Sequence, residues 1–154
     1  MRPPSSELLL EALAEALQTM AFISPEPLPA DSPAPAGTVC ISIRWSGPST
    51  GQLQLATPHV FGELLAVNIL ALESGTPDAS ARALDALQEL CNITAGGLLS
   101  RLCDLPTDAP EMGLPTTTVL LDPAAWQKFV AQPQTTVLLA EGYPLAVRVQ
   151  ESPL

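Results

Sequence analysis

The sequence predicts an α+β domain in which a mainly antiparallel sheet carries two or three long helices on one face. Three observations predict it. Stretches with apolar residues at helical spacing occur in blocks, stretches with alternating apolar residues occur in hairpin pairs, and no strict strand–helix–strand alternation of a parallel sheet links them. With 154 residues, 47% of them hydrophobic, the chain is one domain by size, covering residues 1–154, with material for a real core. Aromatic residues are 4%, so that core is aliphatic.

Residues Ser6 to Met20 read as the first helix, with Ser5 or Ser6 as cap and Leu9, Ala12, Leu13, Leu17 and Met20 on one side. Residues 24–37 carry five prolines and form a proline-rich loop that excludes regular helix or a central strand; a surface spacer and a proline-recognition ligand both fit it. Thr38 to Trp45 alternates Val39, Ile41, Ile43 and Trp45 with small or polar residues, and Gln52 to Ala56 alternates again after the turn Gly47 to Gly51. That is a hairpin. Pro58 to Leu72 returns to helical spacing, and Ser74 to Pro77 separates it from the longest helix.

The longest helix runs from Pro77 to about Arg101. Thr76 can cap it, and Pro77 fits its first position, where a missing N–H costs nothing. At about 100° per residue, Leu84, Leu87, Cys91, Ala95 and Leu98 form a core-facing stripe. Asp85, Glu89 and Asn92, spaced i, i+4, i+7, form a second stripe about 120° away, which Gly96 continues. Such a stripe can be the ordinary solvated side of an amphipathic helix, or it can be a recognition face. Asn is a poor residue for a helix interior, Ile93 is an apolar residue beside the polar stripe, and Gly96 and Gly97 each weaken the helix by about 1 kcal/mol relative to Ala. The glycines mark either close packing on another helix or close approach of a partner.

Beyond Arg101, residues Asp104 to Pro115 read as a loop and Thr116 to Leu121 as a buried strand. Asp122-Pro123 opens a short helix through Trp126, Phe129 and Val130. Thr135 to Ala140 and Leu145 to Gln150 make a last hairpin across Glu141 to Pro144. The two hairpins, one towards each end of the chain, hint at an internal duplication.

Composition narrows the function. Net charge is −10, from 16 acidic and 6 basic residues, which argues against nucleic acid and anionic membrane as partners. Three cysteines without paired spacing and the single His59 give neither a zinc site nor a disulfide framework, and no metal or other cofactor is expected in this chain. Gly47 to Gly51 lacks the pattern of a phosphate-binding loop. No apolar run is long enough for a membrane span, and the amino terminus leads into a helix bearing Glu7, Glu11 and Glu15, so a cytoplasmic protein is expected.

The spacing Asp85-xxx-Glu89-xx-Asn92 resembles the Asp/Ser-xxx-Glu-xx-Asn signature of the CheC/CheX/FliY family of chemotaxis phosphatases. The surrounding order is similar as well: strand, Gly turn and strand from Ile43 to Pro58, then the helix Phe61 to Leu72, the motif helix with glycine soon after Asn92, a loop and a strand. The resemblance spans about residues 5 to 150. CheC-type members carry the motif twice. Here the helix with Glu63 has Ala66 where the second asparagine belongs, and Asn68 comes two residues too late, so the chain is closest to the single-site CheX type, whose members commonly form dimers.

The resemblance implies a CheC-like fold and a phosphatase acting on the aspartyl phosphate of a response-regulator receiver domain. It implies Asn92 as the residue that positions water and Glu89 as the partner of the receiver's lysine. Asp85, Ile93 and Gly96 would complete the contact surface. Mg²⁺ is then expected on the partner receiver domain, not here. A non-catalytic receiver-binding or scaffold module of the same fold is the alternative. A regulatory domain unrelated to phosphorelays, its motif accidental, is the third.

Overall fold

A computed structural model describes residues 1–29, 32–120 and 122–152. Among these residues four helices, α1 (Ser6–Ala21), α2 (His59–Leu70), α3 (Pro77–Leu102) and α4 (Pro123–Val130), pack on one seven-stranded sheet. Its strands are β1 (Glu26–Pro27), β2 (Thr38–Ser46), β3 (Thr50–Pro58), β4 (Glu111–Met112), β5 (Thr116–Leu120), β6 (Thr135–Ala140) and β7 (Tyr143–Ser152). All pairings are antiparallel, in the order β1-β6-β7-β3-β2, with β4 and β5 both on the outer edge of β2. The α+β class and mainly antiparallel sheet expected from the sequence are the ones observed.

Alternation within each strand decides where the core sits. On β2, Val39, Ile41, Ile43 and Trp45 point to the same side as Leu53 and Leu55 of β3 and Leu145, Val147 and Val149 of β7. The buried stripes of α1, α2 and α3 close over this face. Helix α3 contributes Leu87, Leu90, Cys91, Ala95, Leu98 and Leu102, all fully buried, and each leucine stabilises by about 1.5–3 kcal/mol. Leu84, expected on that stripe, is partly exposed instead, because the buried face of α3 rotates towards Ala83, Leu90 and Thr94 where α2 crosses it.

Capping follows the sequence. Ser5 accepts from the Leu8 amide, Thr76 from Ala79 and Asp122 from Ala124, each holding an otherwise orphaned N–H.

Four expectations need correction. The helices do not all lie on one face: α4 packs Trp126 and Phe129 against Cys40, Ala56 and Ala146 on the opposite side of the sheet. The strand at Thr116 is not buried but is an exposed edge, with Val119 56% accessible; its expected last residue, Leu121, lies outside the described residues. Its β-branched content reflects pairing with β2 rather than burial. The loop after α3 contains a 3₁₀ turn at Pro106–Asp108 and the two-residue strand β4, while the proline-rich loop contributes β1 at the far edge, where a proline costs no ladder bond. Tyr143 and Pro144 open β7 instead of belonging to the turn, since Glu141 and Gly142, both at positive φ, close the hairpin alone.

Candidate functional site

Helix α3 turns its wet face to solvent for its whole length. Asp85 and Glu89 are exposed, Asn92 and Gly96 are half-buried, and Ile93 is 38% accessible. At 1.5 Å rise per residue, Asp85 to Asn92 spans about 10 Å, one helix face deep enough to enter a shallow cleft on another protein. The structure therefore brings all five sequence-derived residues onto one continuous surface.

Their local partners differ. Arg82, one turn before Asp85, approaches its carboxylate at 3.5 Å; both side chains are well exposed, so the pair contributes little to stability. Among the described residues, neither the Glu89 carboxylate nor the Asn92 amide makes an ion pair or side-chain hydrogen bond within the chain. Gln88, on the flank of the stripe, is tied down by donating to Thr117 Oγ1 of β5 at 3.0 Å. The polar groups of α3 thus divide into those committed to the fold and those left for another molecule.

The two glycines divide in the same way. A Cβ on Gly97 would stand 3.3 Å from Arg101 Nη1 and 3.6 Å from Ala12 Cβ of α1, so Gly97 serves helix packing. Gly96 meets just Met112 Cε, at 3.9 Å. It leaves the backbone of α3 open next to Asn92. Of the two roles expected for the glycines, each residue takes one.

Sequence reasoning missed the surroundings of the stripe. On one side Ala66, Ile69 and Leu70 of α2 form, with Arg82, Asp85, Ala86 and Glu89, a groove of about 190 Å³. On the other stands Met112 of β4, half-exposed, with its Cε 3.9 Å from where a Gly96 Cβ would sit. Apolar surface therefore flanks the carboxylates and the amide on both sides. The signal for α2 was in its composition, since Ile69 and Leu70 lie beyond the residues that its buried stripe requires.

Helix α2 itself has no equivalent of the α3 site. Its Glu63 lies 3.9 Å from His59 Nδ1, Ala66 is fully buried, and Asn68 is directed at α1.

The thiols take no part in this surface. Cys91 is fully buried beneath it, and burial, reinforced by Cys40, pushes its pKa from 9.0 up to about 12. Burial also raises Cys40, against the opposing pulls of a Ser42 hydrogen bond and the Arg148 charge.

The fold that carries this surface recurs in solved structures. A putative chemotaxis protein from Desulfovibrio vulgaris Hildenborough superimposes with a TM-score of 0.69 at 16% identity, over 96% of each chain. The chemotaxis protein CheX from Desulfovibrio desulfuricans gives 0.68 at 14% identity, over 96% of this chain and 98% of its own. CheX in the CheX–CheY–BeF3–Mg²⁺ complex from Borrelia burgdorferi gives 0.65 at 14% identity, over 96% and 97%. The chain has the CheX fold. The sequence matches no family profile and no curated protein. At these identities the CheX likeness is one of fold, and it spans the chain nearly end to end, with the motif helix included. No described helix is long and apolar enough to cross a membrane.

Proposed function

We propose that this chain is a phosphatase that hydrolyses the aspartyl phosphate of a CheY-like receiver domain. The observation that carries the reading is the pair of uncommitted groups, Glu89 and Asn92, on the exposed face of a helix in a CheX fold. The neighbour whose structure contains CheY supports a receiver as partner.

The chemistry asks little of the chain. In the receiver, the phosphorus of the acyl phosphate is already activated by Mg²⁺ and by a lysine, both supplied by that partner. Catalysis then reduces to holding one water in line with the bond to be broken. The Asn92 amide does this without any change of protonation: its Oδ1 accepts from the water and its Nδ2 can donate to a phosphoryl oxygen. Water oxygen bonds to phosphorus, the bond from phosphorus to the aspartate oxygen breaks, and the products are inorganic phosphate and a free carboxylate. Glu89, one turn earlier, pairs with the receiver's lysine and sets the depth and register of the helix. Asp85 adds a contact further out, while Ile93 and the open backbone at Gly96 supply the apolar, closely fitting part of the interface.

A non-catalytic receiver-binding or scaffold module is the second reading, because the same face serves docking without turnover. The experiment that separates them measures dephosphorylation of phosphorylated receiver domains by wild type, Asn92→Ala and Glu89→Ala. Acceleration that Asn92→Ala lowers by about 10²-fold or more, with binding retained, supports the enzyme. Binding without acceleration supports the module. Neither binding nor acceleration overturns both. The same reading places the protein in the cytoplasm with its receiver. A homodimer fits it through the open edge of β5, tested by sedimentation of wild type against Val119→Lys.

A further inference from the structure

The sheet face remote from α3 has a different character. Between α4 and the sheet lies an open groove of about 270 Å³ whose polar lining is Ser42, Gln54, Thr118, Lys128 and Gln132. Its floor and wall are apolar, from Leu120, Ala125 and Phe129. Among the described residues no carboxylate lines it.

Charge at the groove itself runs against the composition of the chain, while Glu111, opposite Ser46, shares the side of Arg44 at the sheet edge. Arg148 sits opposite Gln54 in the β3–β7 register, and Arg44 lies two residues beyond Ser42 on β2, so both project to the same side as the groove. With Lys128 they make three of the six basic residues in a chain of net charge −10. Among the described residues none of the three is in an ion pair.

Arg148 is the telling member. It is 8% exposed, its guanidinium lies 5.9 Å from the centre of the Phe129 ring that walls the groove, and Nη2 donates to Gln150 Oε1 at 2.7 Å. Its Nε is buried with no hydrogen-bond partner among the described residues. A buried cation with an unmet donor is costly, and although Arg148 does not itself line the groove, it stands directly behind Phe129 and Gln54, which do, so that its charge reaches the groove as a field.

We infer that the groove between α4 and the sheet binds a small organic anion, its phosphate or carboxylate group held by Lys128 and the field of Arg148 and its body resting on Phe129 and Leu120. Ser42, Gln54, Thr118 and Gln132 supply neutral hydrogen bonds around the charged group. The site is independent of the α3 face, which lies on the other side of the sheet.

The test is calorimetric titration with phenyl phosphate, benzoate and inorganic phosphate at constant ionic strength, on wild type, Lys128→Gln and Ala125→Glu. Both substitutions are at solvent-accessible positions of α4, so folding is retained, and far-UV circular dichroism checks it. Saturable one-site binding of phenyl phosphate or benzoate is expected, with at least a tenfold rise in Kd in each variant. The tighter of the two probes identifies the charged group. At a hundredfold excess over Kd the tighter probe should also raise Tm by roughly 5–10 °C. Absence of saturation up to about 10 mM overturns the proposal, as do equal affinities in wild type and both variants. Inorganic phosphate binding as tightly as phenyl phosphate overturns the organic part of the assignment.

Discussion

Asn68 of α2 donates through Nδ2 to the carbonyl oxygen of Ala21 at 3.1 Å, at the point where α1 ends and Phe22 turns into left-handed backbone. The bond meets one of the carbonyls that a helix C-terminus leaves without a partner. It also explains why α2 has an asparagine but no site: that amide is spent on the fold, whereas the Asn92 amide on α3 is not. Asn68→Ala should therefore cost about 1 kcal/mol in denaturant unfolding while leaving receiver dephosphorylation at the wild-type rate. A large loss of turnover with unchanged stability would contradict this division of roles.

Gly62 sets how closely α2 and α3 approach. A Cβ there would lie 2.6 Å from the Ala83 carbonyl oxygen and 2.9 Å from Leu87 Cδ1, and backbone cannot yield as a side-chain tip can. Gly62→Ala should destabilise the protein by about 1–3 kcal/mol, read as a lower urea midpoint. Since the displaced element is the motif helix, receiver affinity should fall with it.

Gly96 should behave in the opposite way. Its nearest neighbour for an added Cβ is Met112 Cε at 3.9 Å, an ordinary contact, so Gly96→Ala keeps the fold and gains up to about 1 kcal/mol from helix propensity. If the open backbone there is contact surface, the same variant binds the receiver at least tenfold more weakly. Higher Tm with unchanged affinity would remove Gly96 from the interface.

Stability should fall at alkaline pH through Cys91. Its pKa rises from 9.0 to about 12 on folding, because burial disfavours the thiolate. Below pH 9 both states keep the proton and the effect is constant. Between pH 9 and 12 the unfolded chain releases a proton that the folded chain retains, so unfolding free energy declines by up to about 1.4 kcal/mol per pH unit. Denaturant titrations of wild type and Cys91→Ala from pH 8 to 11 should show the steeper decline in wild type.

Local sequence settles where three of the four described helices begin, because Ser5, Thr76 and Asp122 cap by bonds to amides two or three residues away, and such bonds need no tertiary partner. It determined the face shared by Asp85, Glu89 and Asn92 as well, since a helix has one period and 3.6 residues close one turn. It also located the strands that alternate, where period two places Val39, Ile41 and Ile43 on one side whatever packs there. What the chain does with each side depended on distant partners. Only the tertiary structure decided that β5 is an open edge, that α4 crosses to the opposite face, and that Gly97 meets α1 while Gly96 meets almost nothing. The same holds for the two asparagines. Asn68 and Asn92 look alike in sequence, and the difference between a structural amide and a free one lies in Ala21, forty-seven residues away, whose carbonyl reaches Asn68 alone.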